Sequence, residues 1–329
     1  MISRAPSSVV RFAAAELSVA ILALVYVLAV LPFCPELATR DQAFAVLLNA
    51  APLLVLALGQ SFALLIGGID LSVSGVISLS GVVGAMILTR DDGALADSSL
   101  AIPVALLVML LIGGVAGATQ GAAVAYWELP AFIVTMCGMM ALGGVAVWLT
   151  GGERLGGLSL PLLDAMQGDW LHVPVMLWIA AALAIVCHLL LQHTVLGKHL
   201  YAVGHNARAA RVAGISLGRV TCFAYGAAGT CSALAALLYT CRTESATPSF
   251  AREILLDAIG AAVIGGVSLS GGRVSVVGIV CGALLITLVG NSLTLLNLDY
   301  WHVLMAKGGV ILVAALLDAA RRGVVGGRA

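Results

Sequence analysis

Ile66-Gly67-Gly68-Ile69-Asp70-Leu71-Ser72 returns later in the chain as Ile264-Gly265-Gly266-Val267-Ser268-Leu269-Ser270. The repeated surroundings extend over roughly 64–76 and 262–274. Both copies interrupt long apolar stretches, and each sets two glycines ahead of a polar residue and a Leu-Ser. Glycine pairs and polar side chains break helices in an otherwise lipid-compatible chain. Paired breaks in corresponding places point to a transport route. Gly67, Gly68, Asp70 and Ser72, with Gly265, Gly266, Ser268 and Ser270, are therefore the candidate pathway residues.

The chain around the repeat belongs in a bilayer. Of its 329 residues 61% are hydrophobic and 10% charged, and the mean hydropathy is +1.11. A soluble domain carries about 25% charged residues. About ten segments approach the ~20 apolar residues that span a bilayer: 14–33, 43–66, 71–89, 100–125, 130–150, 171–191, 219–241, 254–271, 274–296 and 302–318. They are too long and too evenly apolar for barrel strands. The expected fold is an all-α, polytopic transmembrane bundle, with residues 1–329 as a single membrane domain.

Lys+Arg and Asp+Glu both number 16, so net charge decides nothing; its distribution does. An even number of spans puts both termini on one side, with Arg4, Arg11, Lys198, Arg208, Arg211, Arg219, Arg273, Arg321, Arg322 and Arg328. The other side holds Arg40, Arg90, Arg154, Arg242 and Arg252, and the acids Asp91, Asp92, Asp97, Glu153, Asp164, Asp169 and Glu244. The positive-inside rule then places both termini in the cytoplasm. Leu31-Pro32-Phe33-Cys34 looks like a lipoprotein cleavage site, but Phe33 is too bulky for it, so an uncleaved first helix is expected. The seven cysteines are scattered without a C-x-x-C and behave as small hydrophobes within spans.

Connections are short apart from two. Residues 151–170 open with Gly151, Gly152, Gly156 and Gly157 on the outer side. Residues 192–218 lie on the cytoplasmic side. In the second, Asn206 can cap a helix, Ala207 to Ala213 are strong helix formers, and Gly214 can end it in the left-handed conformation. A short basic helix at the membrane surface is expected there, or a loop that only sets topology. Gly113, Gly117 and Gly121 line one face of the fourth span, and Gly278 and Gly282 one face of the ninth, which allows close helix packing.

Asp70 has two readings. It faces a polar cavity near the cytoplasmic end, where water reaches it, or it caps a helix starting at Leu71. Ser268, also a capping residue, occupies the matching place in the second copy. Lys307, early in the last span, snorkels outward, lines a cavity or pairs with an outer acid such as Asp299, and a structural pair is the favoured expectation. Glu16 and Glu128 lie near span ends, in water. His188, His193, His199 and His205 crowd the cytoplasmic loop at spacings that match no metal site. Gln192 stands where a P-loop ahead of Gly197-Lys198 needs glycine, and neither a G-x-S-x-G nor an H-E-x-x-H is present. The sequence supports neither ATP hydrolysis nor catalysis by this chain.

Gly67-Gly68-Ile69-Asp70-Leu71-Ser72-Val73-Ser74 resembles the signature of membrane permease subunits of ribose-type sugar ABC importers. Leu129-Pro130-Ala131-Phe132-Ile133-Val134-Thr135 is similar to the opening of the fifth span in that family. Gly204-His205-Asn206 through Ala209-Ala210-Arg211 and Gly214-Ile215 resemble its cytoplasmic coupling loop. The C-terminal block is matched by Asp257-Ala258-Ile259, Val263 through Arg273, Tyr300-Trp301 and Lys307-Gly308. The chain departs from the pattern at Ala207, where a Glu is usual, and at Gly143-Gly144, where an Arg precedes the Gly. The departures put the details of the motor contact and the solute preference in question, and pairing with a different permease chain could explain both.

The resemblance implies a bacterial inner-membrane, multi-pass importer of a monosaccharide or sugar-like solute. Two permease chains, identical or different, form the pathway. A periplasmic binding protein delivers the solute. A separate cytoplasmic subunit binds ATP and Mg, leaving this chain without a cofactor, and nucleic acid has no part. Asn206, Arg208, Ala209, Arg211 and Gly214 would couple to that motor, and ATP would shift the spans between inward-open and outward-open states. Two other classes stand against this reading. An ion-coupled secondary transporter would explain the repeat without partners. An intramembrane enzyme would need paired acids or a nucleophile with its base.

Overall fold

The computed structural model describes residues 8–89, 98, 100–249 and 252–326. Thirteen α-helices run through them: α1 Ser8–Val30, α2 Arg40–Leu65, α3 Val73–Leu88, α4 Ala101–Tyr126, α5 Ala131–Thr150, α6 Leu160–Gln167, α7 Val175–His193, α8 Val195–His205, α9 Ala207–Val212, α10 Leu217–Thr243, α11 Arg252–Ile264, α12 Val276–Leu295 and α13 Tyr300–Gly326. Among the described residues the only strands, β1 Asp169–Trp170 and β2 Val173–Pro174, make one small antiparallel hairpin. The all-α expectation holds.

Six helices (α2, α4, α5, α7, α10 and α12) are long and apolar enough to cross a membrane. Shorter apolar stretches at Val19–Val30, Val73–Leu88, Ile254–Ile264 and Tyr300–Val313 fall on the four remaining segments read from the sequence. Arg4, Arg90, Asp91, Asp92, Asp97 and Arg328, used in the charge argument, lie outside the described residues, as do the side chains of Arg11, Glu16, Arg252, Arg321 and Arg322.

The bundle is organised around α10, which packs on α2, α3 and α4. Its most apolar window is 67% buried against 11% for α5, so α10 is a core helix and α5 a peripheral one. Close packing explains the glycines. A Cβ on Gly113 would strike the Gly229 carbonyl, one on Gly117 the Tyr225 carbonyl, and one on Gly121 the Cys222 Cα at 2.8 Å. The stripe on α4 is thus a backbone-to-backbone seam with α10. Gly278 and Gly282 of α12 make a second seam against Ala261 of α11 and Gly265 just beyond its end.

The two long connections carry more structure than the sequence reading gave them. Residues 151–174 hold α6 and the hairpin, and close over the bundle end. Leu155 and Ala246 exchange backbone hydrogen bonds at 2.9 and 2.8 Å. Gln167 Nε2 donates to the Cys241 carbonyl at 2.9 Å. The opposite end is built by α8 and α9. Most of the segment read as the 192–218 loop is helix. Thr194 caps α8 by accepting from Gly197 N at 3.1 Å, a signal hidden because α7 runs almost without pause into α8.

Candidate functional site

The first copy of the repeat ends α2. Gly67 takes φ +79°, its amide donates to the Leu64 carbonyl, and the Gly68 amide reaches back to Ala63 O at 2.9 Å. The carbonyls that α2 leaves unpaired are closed by this left-handed cap. The second copy ends α11 by the same bonds one residue later in the motif. Gly266 carries φ +86°, its amide donates to Val263 O, and Val267 N donates to Ala262 O at 3.0 Å. Gly265 keeps a helical bond to Ala261 O at 2.9 Å and packs against the Gly278 backbone.

Beyond the turn, Asp70 Oδ1 accepts from Ser72 N at 2.9 Å and from Ser72 Oγ at 2.6 Å. In the second copy Ser268 Oγ accepts from Ser270 N at 3.3 Å. Asp70 and Ser268 therefore play the same local part, a side-chain acceptor that turns the chain two residues on. One expectation is corrected. The helix after Asp70 starts at Val73, not at Leu71, so the carboxylate organises the turn ahead of the helix. Asp70 is also 1% exposed. Gln60, with its amide nitrogen turned toward the Asp70 carbonyl, bonds both backbone groups of Asp70 at 3.1 and 3.2 Å. Thr135 of α5 donates to Ile69 O at 3.3 Å. Asp70 lies in the connection between α2 and α3, outside both helices, where burial pushes its carboxyl up to about 6 against the opposing pull of the two Ser72 bonds.

The two copies, far apart in sequence, meet. Gly272 N donates to Leu65 O at 2.8 Å. Gly204, near the end of α8, fits into this contact so closely that a Cβ there would collide with Leu65 O and lie 2.7 Å from Gly272 N. Tyr201 of α8 donates its hydroxyl to Val274 O at 3.3 Å. His205 Nδ1 lies 2.9 Å from Tyr201 O and against Gly272. The ends of α2 and α8 and the connection between α11 and α12 thus form one backbone junction.

Next to it stands α9. Asn206 Oδ1 accepts from Ala209 N at 3.0 Å, and Gly214 takes φ +82°, as the sequence led one to expect. Ala207, Arg208, Ala209 and Arg211 are exposed while Ala210 is buried. Val212, which the sequence reading did not single out, is 90% exposed, an apolar side chain on a basic helix. The arrangement is a small rigid knob whose base is fastened to both helix breaks.

Lys307 is paired, though not with Asp299. Its Nζ donates to Asp257 Oδ2 of α11 at 2.6 Å, and Asp299 sits 3.8 Å from His302. Each helical turn carries the side chain inward along α13, out of reach of the helix start where Asp299 lies. Glu128 is exposed, as read. Gly143 and Gly144 lie on the open side of α5, where an added Cβ meets nothing within 4 Å. Among the described residues no group of three His, Cys, Asp or Glu side chains is placed to hold a metal ion.

A sequence model of the family described as branched-chain amino acid transport system / permease component matches residues 42–316. The chain is 35% identical over 288 residues to the ribose import permease protein RbsC of Haemophilus influenzae, covering 86% of this chain and 87% of that one. It is 36% identical over 267 residues to RbsC of Bacillus subtilis, 80% of each chain. It is 30% identical over 288 residues to the L-arabinose ABC transporter permease protein AraH of Azospirillum brasilense, 88% of this chain and 83% of that one. No solved structure matches.

Proposed function

The chain belongs to the family of ribose-type ABC importer permeases, and from that premise we propose how its parts divide the work. It is a multi-pass membrane subunit of a binding-protein-dependent sugar importer. The relatives are named for ribose and L-arabinose, which supports a monosaccharide as the solute. Energy comes from a separate subunit that binds ATP and Mg, and solute comes from a periplasmic binding protein. A second permease chain completes the pathway in the bacterial inner membrane.

The reading is ten spans in a single domain, with both termini and the α8–α9 end in the cytoplasm. Basic Lys198, Arg208, Arg211, Arg219 and Arg273 gather at that end, which supports this orientation. In this reading Asn206, Arg208, Ala209, Arg211, Gly214 and Val212 present α9 to the ATP-binding subunit. Movement of α9 passes through Gly204 to Leu65 and Gly272, and so to α2 and α11 together. The repeat residues Gly67, Gly68, Asp70, Ser72, Gly265, Gly266, Ser268 and Ser270 act here as a transmission joint: their close packing suits them to passing on displacement better than to bathing in solute.

The observation that carries this reading is the junction of Gly204, Leu65 and Gly272, because it fastens the exposed knob to both breaks. The test is purification from native membranes in mild detergent, with mass spectrometry and ATPase assay of what accompanies the chain. A stoichiometric ATP-binding subunit that is lost with Arg211→Glu or Val212→Asp is expected. A chain that purifies alone, with no change on substitution, would overturn it.

A further inference from the structure

Two buried polar atoms beside the first helix break stand unpaired. Asp70 spends Oδ1 on both Ser72 bonds, while its Oδ2 is sealed from solvent and makes no hydrogen bond. The hydroxyl of Tyr225 on α10 is fully buried and makes none either. Native proteins leave few such groups, because a buried donor or acceptor without a partner has given up its bonds to water for nothing. Here one donor and one acceptor are left over in the same place. The Tyr225 hydroxyl lies against Gly68, two residues before Asp70, so closely that a Cβ on Gly68 would collide with it. It is also within electrostatic reach of the Asp70 carboxyl group. A phenol has one hydrogen to donate, and a carboxylate oxygen can accept it.

The two groups are held by different parts of the bundle. Tyr225 is fixed in the seam between α4 and α10: a Cβ on Gly117 would strike its carbonyl, and one on Gly121 would lie 3.0 Å from its Cβ. Asp70 belongs to the break after α2, which Leu65 ties to Gly272 and Gly204. A displacement that enters through Gly204 therefore carries Asp70 with it and leaves Tyr225 with α4. Close-packed elements switch between discrete arrangements rather than deforming continuously. In the arrangement described, donor and acceptor are apart.

We propose that Tyr225 is a positioning residue whose hydroxyl donates to Asp70 Oδ2 in the second arrangement of the transport cycle, latching the first helix break onto the α4–α10 seam. The proposal rests on the importer reading. A charge-assisted bond in a dry site favours the arrangement that makes it, and the same two groups are unsatisfied in the arrangement that does not. The latch thereby biases the equilibrium that ATP shifts.

The experiment uses the complete transporter in lipid nanodiscs for melting and in liposomes for uptake. Orthovanadate with ATP arrests the nucleotide-bound arrangement. Tyr225→Phe removes only the hydroxyl. Its melting temperature without nucleotide is expected to equal or exceed that of the parent, because the lost group has no partner there. The rise in melting temperature that ATP with vanadate gives the parent is expected to be at least halved. The kcat of sugar uptake should fall at least fivefold, with KM within twofold of the parent. Asp70→Asn keeps an acceptor for Ser72 but sets an amide group where Oδ2 accepts, so adding Tyr225→Phe to it should change kcat less than twofold. A Tyr225→Phe that melts lower without nucleotide would overturn the proposal, since the hydroxyl would then be bonded already. So would an unchanged kcat, or an equal loss in the Asp70→Asn background, which means that the hydroxyl serves another partner. Parent uptake that needs no ATP would instead defeat the importer reading, and the same kcat comparison is then made under the gradient that drives uptake.

Discussion

The amide of Gly272 donates to the carbonyl of Leu65 at 2.8 Å, so the helix breaks after α2 and α11 are tied backbone to backbone. Gly204 closes the joint from α8, and only a residue without a side chain fits. A displacement of α8 therefore reaches both breaks at once, through atoms that cannot be rearranged by a change of rotamer.

Gly204→Val tests that joint. The added side chain collides with Leu65 and Gly272 backbone, and relief by backbone shift costs about 1–3 kcal/mol. The expected outcome is a chain that still inserts and binds its ATP-binding subunit but loses most sugar uptake and the stimulation of ATPase by loaded binding protein. Co-purification and ATPase assays on the same preparation check it.

Gly265 and Gly266 are predicted to fail differently. Gly265→Ala drives a methyl into the Gly278 backbone at about 2.6 Å, which parts α11 from α12 and lowers thermal stability strongly. Gly266→Ala meets no neighbour but holds alanine at φ +86°, a strain of about 1–2 kcal/mol. Gly143→Ala and Gly144→Ala, with open space and helical backbone, gain helix propensity of up to about 1 kcal/mol. Melting temperatures in one detergent should be lowest for Gly265→Ala, higher for Gly266→Ala and highest for Gly143→Ala and Gly144→Ala.

Asp70 makes stability depend on pH. Its folded pKa of about 6 lies above the ordinary 3.8, so the folded chain binds the proton more tightly than the unfolded one. Its contribution is full below about pH 4 and is lost as pH rises through about 6, on the order of 2–3 kcal/mol. Asp70→Asn keeps an acceptor for Ser72 and should flatten this part of the profile. Asp70→Ala leaves Ser72 N unpaired and costs about 1–3 kcal/mol at any pH. Thermal unfolding of the three proteins between pH 4.5 and 7.5 decides the matter.

At α9, Asn206→Ala removes the cap bond to Ala209 and costs about 1 kcal/mol locally, whereas Asn206→Asp retains it. Uptake should drop several-fold in the first and stay near normal in the second.

The helical class, the apolar segments, the glycine seams and the cap of α9 were legible because each rests on local chemistry. Gly113, Gly117 and Gly121 need only helical spacing to declare a contact face, and Asn206 with Gly214 needs only its own turn. Three things were out of reach. The meeting of Leu65 with Gly272 joins residues distant in sequence, and nothing in either copy of the motif names the other as its partner. The depth of Asp70 follows from Gln60, Thr135 and α10 closing over it, contacts that neither reading of the carboxylate could supply. Lys307 chose Asp257 over the nearer Asp299 because the helix turned it inward, a matter of packing rather than of spacing. Val212 gave no signal in sequence, since an isolated valine in a short helix looks like any other.

The central claim is that ATP, acting through a partner on α9, drives sugar across this chain. Its most direct test is reconstitution of the purified complex in liposomes with binding protein and radiolabelled monosaccharides on the side opposite α9, and ATP with Mg on the α9 side. Accumulation that requires ATP, persists when ion gradients are collapsed and disappears with Arg211→Glu is the predicted result. Accumulation by this chain alone under an ion gradient, indifferent to ATP, would contradict it.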